Sequence, residues 1–360
     1  MKPFPLKMLL LLSMCLYVSA CGADTPEVEK ARQYGARGKV TLRVVDSTGK
    51  PVEKARLSVA FWGSDSSADV VVSEGQTDAN GLYPAEGRTT GEVTFTITKE
   101  GFYKTHCTYL FYRANSLDKS QSRAMRSTLG EYLLYHQAEN SVLKNRWQPW
   151  NPTVTVVLKE RRNPTAMHVK QVNTRAPLLG QAIGFDLEKG DWVAPYGQGA
   201  TPDLVIKYTA NYENLLTFSK RLEVSFSNPQ DGMQSFPLDG SSEFMTMYAA
   251  PEHGYEPAII DETARTPAKI LTKSKFADGH YFVFRVRSVT DEQGRIISAN
   301  YGKIYSKDLV YPPIECSRDG DKHYMLFIYY FNPTSNDRNL EFDPSRNLMP
   351  ESYLAPVNMP

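Results

Sequence analysis

The chain has 360 residues, with 41 Lys+Arg against 40 Asp+Glu, 41% hydrophobic and 11% aromatic side chains. A formal charge of +1 argues against a protein that grips nucleic acid or an anionic membrane through a basic face, and the apolar content excludes a disordered chain. Length and composition together indicate about two domains with packed cores.

At the amino terminus, Lys2 and Lys7 precede the apolar run Met8 to Tyr17 and then Val18-Ser19-Ala20-Cys21. About ten apolar residues fall short of the roughly 20 that cross a bilayer as a helix, so residues 1–20 read as a cleavable export signal. The order Val-Ser-Ala-Cys resembles the lipobox of bacterial lipoproteins. That resemblance implies diacylation of the Cys21 thiol, cleavage before it and acylation of the new amine. With Gly22 rather than Asp after the cysteine, it implies an outer membrane, on either face. Ordinary secretory cleavage close to Cys21 is the alternative. Acyl chains, at ~0.8 kcal/mol per buried methylene, would hold the chain at a bilayer with no transmembrane helix. Residues 21–37 follow as a polar tether, with a root-mean-square reach of roughly 20–25 Å.

Cleavage removes Cys15 and lipid consumes Cys21, leaving Cys107 and Cys316. They are either two independent thiols or one disulfide between distant parts of the chain.

From Gly38 the pattern becomes period two. Val40, Leu42 and Val44 face one way, Ala55, Leu57 and Val59 repeat the alternation after the turn Ser47 to Lys50, and Val93, Phe95 and Ile97 repeat it again after Gly91. Thr77-Asp78-Ala79-Asn80-Gly81 carries the Asx and Gly chemistry of a tight turn. These residues, with Gly49-x-Pro51-Val52, Tyr83 and the ending Lys99-x-Gly101-Phe102, resemble a carboxypeptidase regulatory-like domain, and Val154 to Lys159 fits its closing strand. The resemblance implies a seven-stranded transthyretin-like or immunoglobulin-like sandwich over residues 38–160. It implies a structural or binding accessory, and no catalysis.

An insertion is expected from about 104 to 152. Met125, Leu129, Tyr132 and His136 are spaced as one face of a helix from about Arg123 to Lys144. Tyr112, Trp147 and Trp150 belong to a local excess of aromatic residues. They form either a stacking surface for sugar rings or a protein partner, or simply packing for the helix and the domain boundary.

Glu160-Arg161-Arg162-Asn163-Pro164 reads as a charged junction, followed by a second β-sandwich or jelly roll over 161–345 and a tail over 346–360. Leu204 to Tyr208, Leu222 to Phe226, Tyr281 to Val289 and Ile296 to Tyr305 are its expected strands, the last two joined as a hairpin around Asp291 to Gly294. Tyr324 to Phe331 is apolar on both faces, as in a central strand. The fold class expected is all-β: two β-sandwich domains, the first with a helical insertion.

Chemical motifs are sparse. The chain has no Gly-x-Ser-x-Gly elbow, no Gly-Lys-Ser/Thr phosphate loop and no His-Glu-x-x-His helix, and its six histidines are never within five residues of one another. No catalytic residue, cofactor or metal is therefore assigned, and Asp319-Gly320-Asp321 reads as a turn. Asp186, Glu188 and Asp191 beside Trp192, and Asp261 with Glu262, are the carboxylates a glycosidase would need, brought within roughly 5–10 Å by the fold. The expected role is an envelope-anchored, non-catalytic binding or scaffold protein, for glycans or a protein partner and not for nucleic acid. The alternatives are a carbohydrate-active hydrolase and a subunit of a surface filament or transport complex.

Overall fold

The computed structural model describes residues 36–62, 71–89, 92–111, 152–214, 216–274, 276, 279–305 and 313–349. Every regular element among them is a strand, and the chain divides into two compact units. Unit 1 runs to Leu158, and unit 2 takes the rest together with Gly101–Tyr103.

Unit 1 holds β1 (Ala36–Val45), β2 (Arg56–Trp62), β3 (Val71–Gln76), β4 (Leu82–Thr89), β5 (Glu92–Thr98), β6 (Thr105–Leu110) and β7 (Thr153–Val157). They form a β4-β1-β7 sheet and a β3-β2-β5-β6 sheet. Alternation puts Val40, Leu42 and Val44 of β1, Leu57, Val59 and Phe61 of β2, and Val93, Phe95 and Ile97 of β5 on the inner faces, where all nine are buried. At about 1.5–3 kcal/mol for each fully buried side chain, these two apolar faces are what hold the sandwich closed.

The turns are built as the sequence suggests. Asp78 Oδ1 accepts the amides of Asn80 at 2.9 Å and Leu82 at 2.8 Å. Gly81 has φ +72°, and a Cβ there would lie 2.4 Å from the Val44 carbonyl oxygen, so the position admits only glycine. Thr77, buried beside the turn, donates to the Val52 carbonyl at 2.7 Å and accepts from the Ala55 amide at 2.9 Å. The closing strand lies parallel to the first one, with Thr41 opposite Thr153 and Val45 opposite Val157.

Two boundaries differ from expectation. Lys104 to Phe111 is not the start of the insertion: Thr105–Leu110 is β6, antiparallel to β5. Its inward positions are Thr105, Cys107 and Tyr109, without the branched aliphatic residues that mark β1, β2 and β5. The helix expected from 123 to 144 lies outside the described residues. The charged junction, with Arg161, Arg162 and Asn163 exposed, is held through its backbone. Tyr103 N donates to the Lys159 carbonyl at 2.8 Å, and Arg161 N donates to the Gly101 carbonyl at 2.8 Å. Glu341, 1% exposed, accepts the Tyr103 hydroxyl at 2.7 Å and the amides of Arg162 at 2.8 Å and Asn163 at 2.6 Å. One buried carboxylate thus organises both passages of the chain within unit 2.

Unit 2 holds β8 (Thr165–Arg175), β9 (Ala182–Asp186), β10 (Asp191–Trp192), β11 (Leu204–Asn214), β12 (Thr217–Ser225), β13 (Gly232–Pro237), β14 (Ala258–Arg265), β15 (Ile270–Ser274), β16 (His280–Thr290), β17 (Ile296–Ile304), β18 (Ile314–Asp319), β19 (Lys322–Asn332) and β20 (Phe342–Asn347). A six-stranded sheet runs β10-β9-β11-β12-β14-β15. A seven-stranded sheet runs β13-β16-β17-β19-β8-β20, with β18 also on β19. Phe185, Ile206, Leu222 and Ile259 of the first share one core with Phe282, Phe284, Phe327 and Phe331 of the second. The other face of the seven-stranded sheet, with Tyr281, Val283, Tyr301 and Tyr330, is covered by Met245, Ala250, Leu340 and Phe342. Two covered faces explain why β16 and β19 read as continuous apolar runs, and β19 is central as expected. The expected tail starts too early: β20 reaches Asn347, whose side chain bonds both the amide and carbonyl of Val169, and Met349 is 5% exposed.

Candidate binding site

Of the residues singled out in the sequence, Cys21, Tyr112, Trp147 and Trp150 lie outside the described residues. Cys107 on β6 and Cys316 on β18 are half-buried thiols, one in each unit. Burial pushes the Cys316 thiol up to about 12, so it stays protonated and inert at neutral pH. Among the described residues, no group of three or more His, Cys, Asp or Glu could hold a metal ion.

The candidate carboxylates are occupied by the fold itself. Asp186 caps its loop: Oδ1 accepts the amides of Glu188 and Lys189, and Oδ2 those of Ala200 and Thr201, all between 2.9 and 3.0 Å. Burial raises its pKa, yet these four bonds bring it below the usual carboxylate value, the opposite of what a general acid requires. Asp191 accepts Trp192 N at 2.8 Å and Gln198 N at 2.9 Å, and Glu188 pairs with Arg287 at 2.9 Å. Trp192, expected beside them, is 3% exposed and stacks edge-on against Phe185. Asp261 and Glu262 are consecutive on β14, so their side chains point to opposite faces of the sheet and do not converge.

A concave feature of unit 2 lies elsewhere, on the solvent face of the six-stranded sheet. Cross-strand register aligns Thr209, Arg221, Glu262 and Lys273 in one row across β11, β12, β14 and β15, and Asn211, Ser219, Ala264 and Leu271 in the next. These eight residues line a groove of about 440 Å³. Arg221 bonds Glu262 through Nη1 and Glu223 through Nη2 at 3.0 Å, and these bonds raise its pKa. The guanidinium and its two carboxylates carry a net charge of −1 between them and stand as a polar ridge. Hydroxyls, an amide and Lys273 supply donors and acceptors beside it, while Ala264 and Leu271, the latter 55% exposed, supply apolar surface. Such a surface presents polar and apolar contacts side by side along two rows. Sequence reasoning ended the strand at Tyr208 and missed this face, although the polar positions Thr209 and Asn211 continue the same alternation.

No protein-family model and no curated protein sequence matches the chain. Among solved structures, 3-chlorocatechol 1,2-dioxygenase from Rhodococcus opacus is similar at 12% identity and a TM-score of 0.24, over 35% of this chain and 60% of that one. A variant of a shaft pilin from Lactobacillus rhamnosus GG is similar at 9% identity and 0.21, over 71% of this chain and 89% of that one. The major pilin subunit of Bacillus cereus is similar at 12% and 0.21, over 81% and 95%. The chain thus spans less than two thirds of the dioxygenase. Likenesses at these scores carry nothing over to this chain.

Proposed function

We propose that the chain is an envelope lipoprotein with a non-catalytic role, binding or scaffolding an extended polar ligand such as a glycan strand or a peptide. The observation that carries the reading is the groove over β11, β12, β14 and β15, whose two registered rows of side chains offer contact without an activated group. Cys21, behind an export signal that resembles those of lipoproteins, supplies the anchor, and the first sandwich, which resembles carboxypeptidase regulatory-like domains, serves as an accessory. The scaffold side of the reading has its own support in β15, an outermost strand on which Ile270 is 61% and Leu271 55% exposed. A strand of this kind accepts another by edge addition.

Two measurements test the parts separately. Cells fed an alkyne fatty acid should label the wild-type chain and not Cys21→Ala, which should also leave the membrane fraction; equal labelling of both rejects the anchor. A photo-crosslinking side chain placed at Ser219, in the groove, should give an ultraviolet-dependent adduct of defined mass in the intact envelope. The same group at Val289, exposed on β16 outside the groove, should not; indistinguishable adducts at both positions reject the groove as the binding surface.

A further inference from the structure

We propose that the outward face of the β3-β2-β5-β6 sheet in unit 1 is a separate site for a neutral glycan, with the Trp62 indole as its stacking surface. Because Leu57, Val59 and Phe61 turn inward, Ser58, Ala60 and Trp62 turn outward, and Trp62 is 42% exposed. Its Nε1–H donates to Thr94 Oγ1 on β5 at 2.9 Å, which fixes the plane of the indole relative to the sheet. A large aromatic ring held by a bond to its own scaffold loses little freedom when a ligand stacks on it.

The floor beside the ring has two chemistries. Toward β3, Ala60 pairs with Val72, which is 51% exposed, giving a short apolar strip. Toward β6, Thr94 pairs with Thr108 and Thr96 pairs with His106, whose Nδ1 lies 3.0 Å from Thr96 Oγ1. Neighbouring strands are about 4.8 Å apart, so the indole, these hydroxyls and the imidazole span a width comparable to one or two sugar rings. A pyranose presents an apolar C–H face and a rim of hydroxyls, and this surface answers both. Charge selects among glycans: the outward positions hold Arg56 against Glu74 and Glu92, one basic group to two acidic. The face has no cationic surplus with which to draw a uronate or sulfated chain.

The test is affinity electrophoresis of the full mature chain in gels cast with neutral galactomannan or β-glucan, and in parallel with polygalacturonate. A neutral polymer should retard the wild type. Trp62→Ala should weaken that retardation about tenfold or more, while Trp62→Phe should stay within about threefold of wild type. Val289→Ala, at an exposed position outside both surfaces, should bind as wild type, and Trp62→Ala should keep the crosslink at Ser219, so that failure of the groove and failure of this face are told apart. His106→Ala and Thr96→Val, both at solvent-facing positions, should each reduce retardation and serve as the deciding variants if Trp62→Ala does not fold. Retardation by polygalacturonate alone, none by either neutral polymer, or no effect of the Trp62 and His106 variants would each overturn the proposal.

Discussion

Arg287→Met should destabilise unit 2 by about 3–5 kcal/mol, the usual consequence of stranding a buried charge. Arg287 sits in the bulged stretch of β16, between Val286 and Val289, at φ +57°, a left-handed conformation that a non-glycine residue adopts at a cost of about 1 kcal/mol. Asp231 holds that backbone by accepting the amides of both Arg287 and Ser288, at 3.0 and 2.9 Å. The conformation aims the guanidinium at Asp203, which it meets through Nε at 2.7 Å and Nη2 at 3.0 Å, while its plane lies 5.0 Å over the Phe331 ring. The Asp203 side chain is 0% exposed, and burial drives its pKa up against the pull of Arg287. Without the guanidinium, Asp203 and Asp186 face one another as two buried acids. Asp203→Asn added to Arg287→Met should recover part of the loss, because the stranded charge is then gone. Chemical denaturation of the two single variants and the double variant measures the coupling. A cost below about 1 kcal/mol for Arg287→Met would show the cluster to be ornamental.

Lys303→Met should raise stability at neutral and mildly acid pH, with the advantage fading toward pH 10. Lys303 on β17 is 0% exposed. Its Nζ donates to Thr246 Oγ1 at 2.9 Å and lies 4.8 Å from the Phe244 and Tyr330 ring centres and 5.9 Å from that of Tyr305. Burial lowers its pKa to about 7, Glu341 opposing the shift and Lys159 adding to it. Between pH 7 and about 10 the unfolded chain therefore holds a proton that the folded chain lacks, and stability rises with pH across that window. Above about pH 10 the trend reverses, since buried tyrosines such as Tyr305 and Tyr330 keep protons that the unfolded chain releases. A proton withheld over some three pH units corresponds to roughly 4 kcal/mol. Denaturation curves of both proteins at pH 6.5, 8 and 9.5 should converge as pH rises; parallel curves would contradict the assignment.

Period-two alternation carried most of what could be read from the chain alone. It placed β1, β2 and β5, while the turn at Asp291 to Gly294 placed the β16–β17 hairpin and an unbroken apolar run placed β19; Asp261 and Glu262 stood as a candidate pair because β14 was not expected, and as consecutive residues of that strand they face opposite ways. Trp62 was not singled out, although the alternation of Leu57, Val59 and Phe61 leaves it on the outside. What it could not carry was long-range hydrogen bonding. Asp186 looks like an acid near a tryptophan until the amides of Ala200 and Thr201, fourteen and fifteen residues away, are found on its carboxylate. Glu341 likewise looks like an ordinary acid near the carboxyl terminus until Tyr103, 238 residues earlier, is found bonded to it. The groove was invisible for a related reason: each strand contributes only two or three of its residues, and register between four strands is not written in any one of them.

The parallel pairing of β7 with β1 sets a timetable for the first sandwich. Thr41 and Thr153 are neighbours in the sheet although 112 positions separate them in the chain, so β1 keeps one bare edge until all of that intervening polypeptide has emerged. During synthesis, a half-built sheet with β4 already on one side of β1 and nothing on the other is an open template for any extended strand nearby. The slow step in maturation should then be the arrival of β7, and a cleft chain supplied with the missing strand as a peptide would be expected to close its own sandwich.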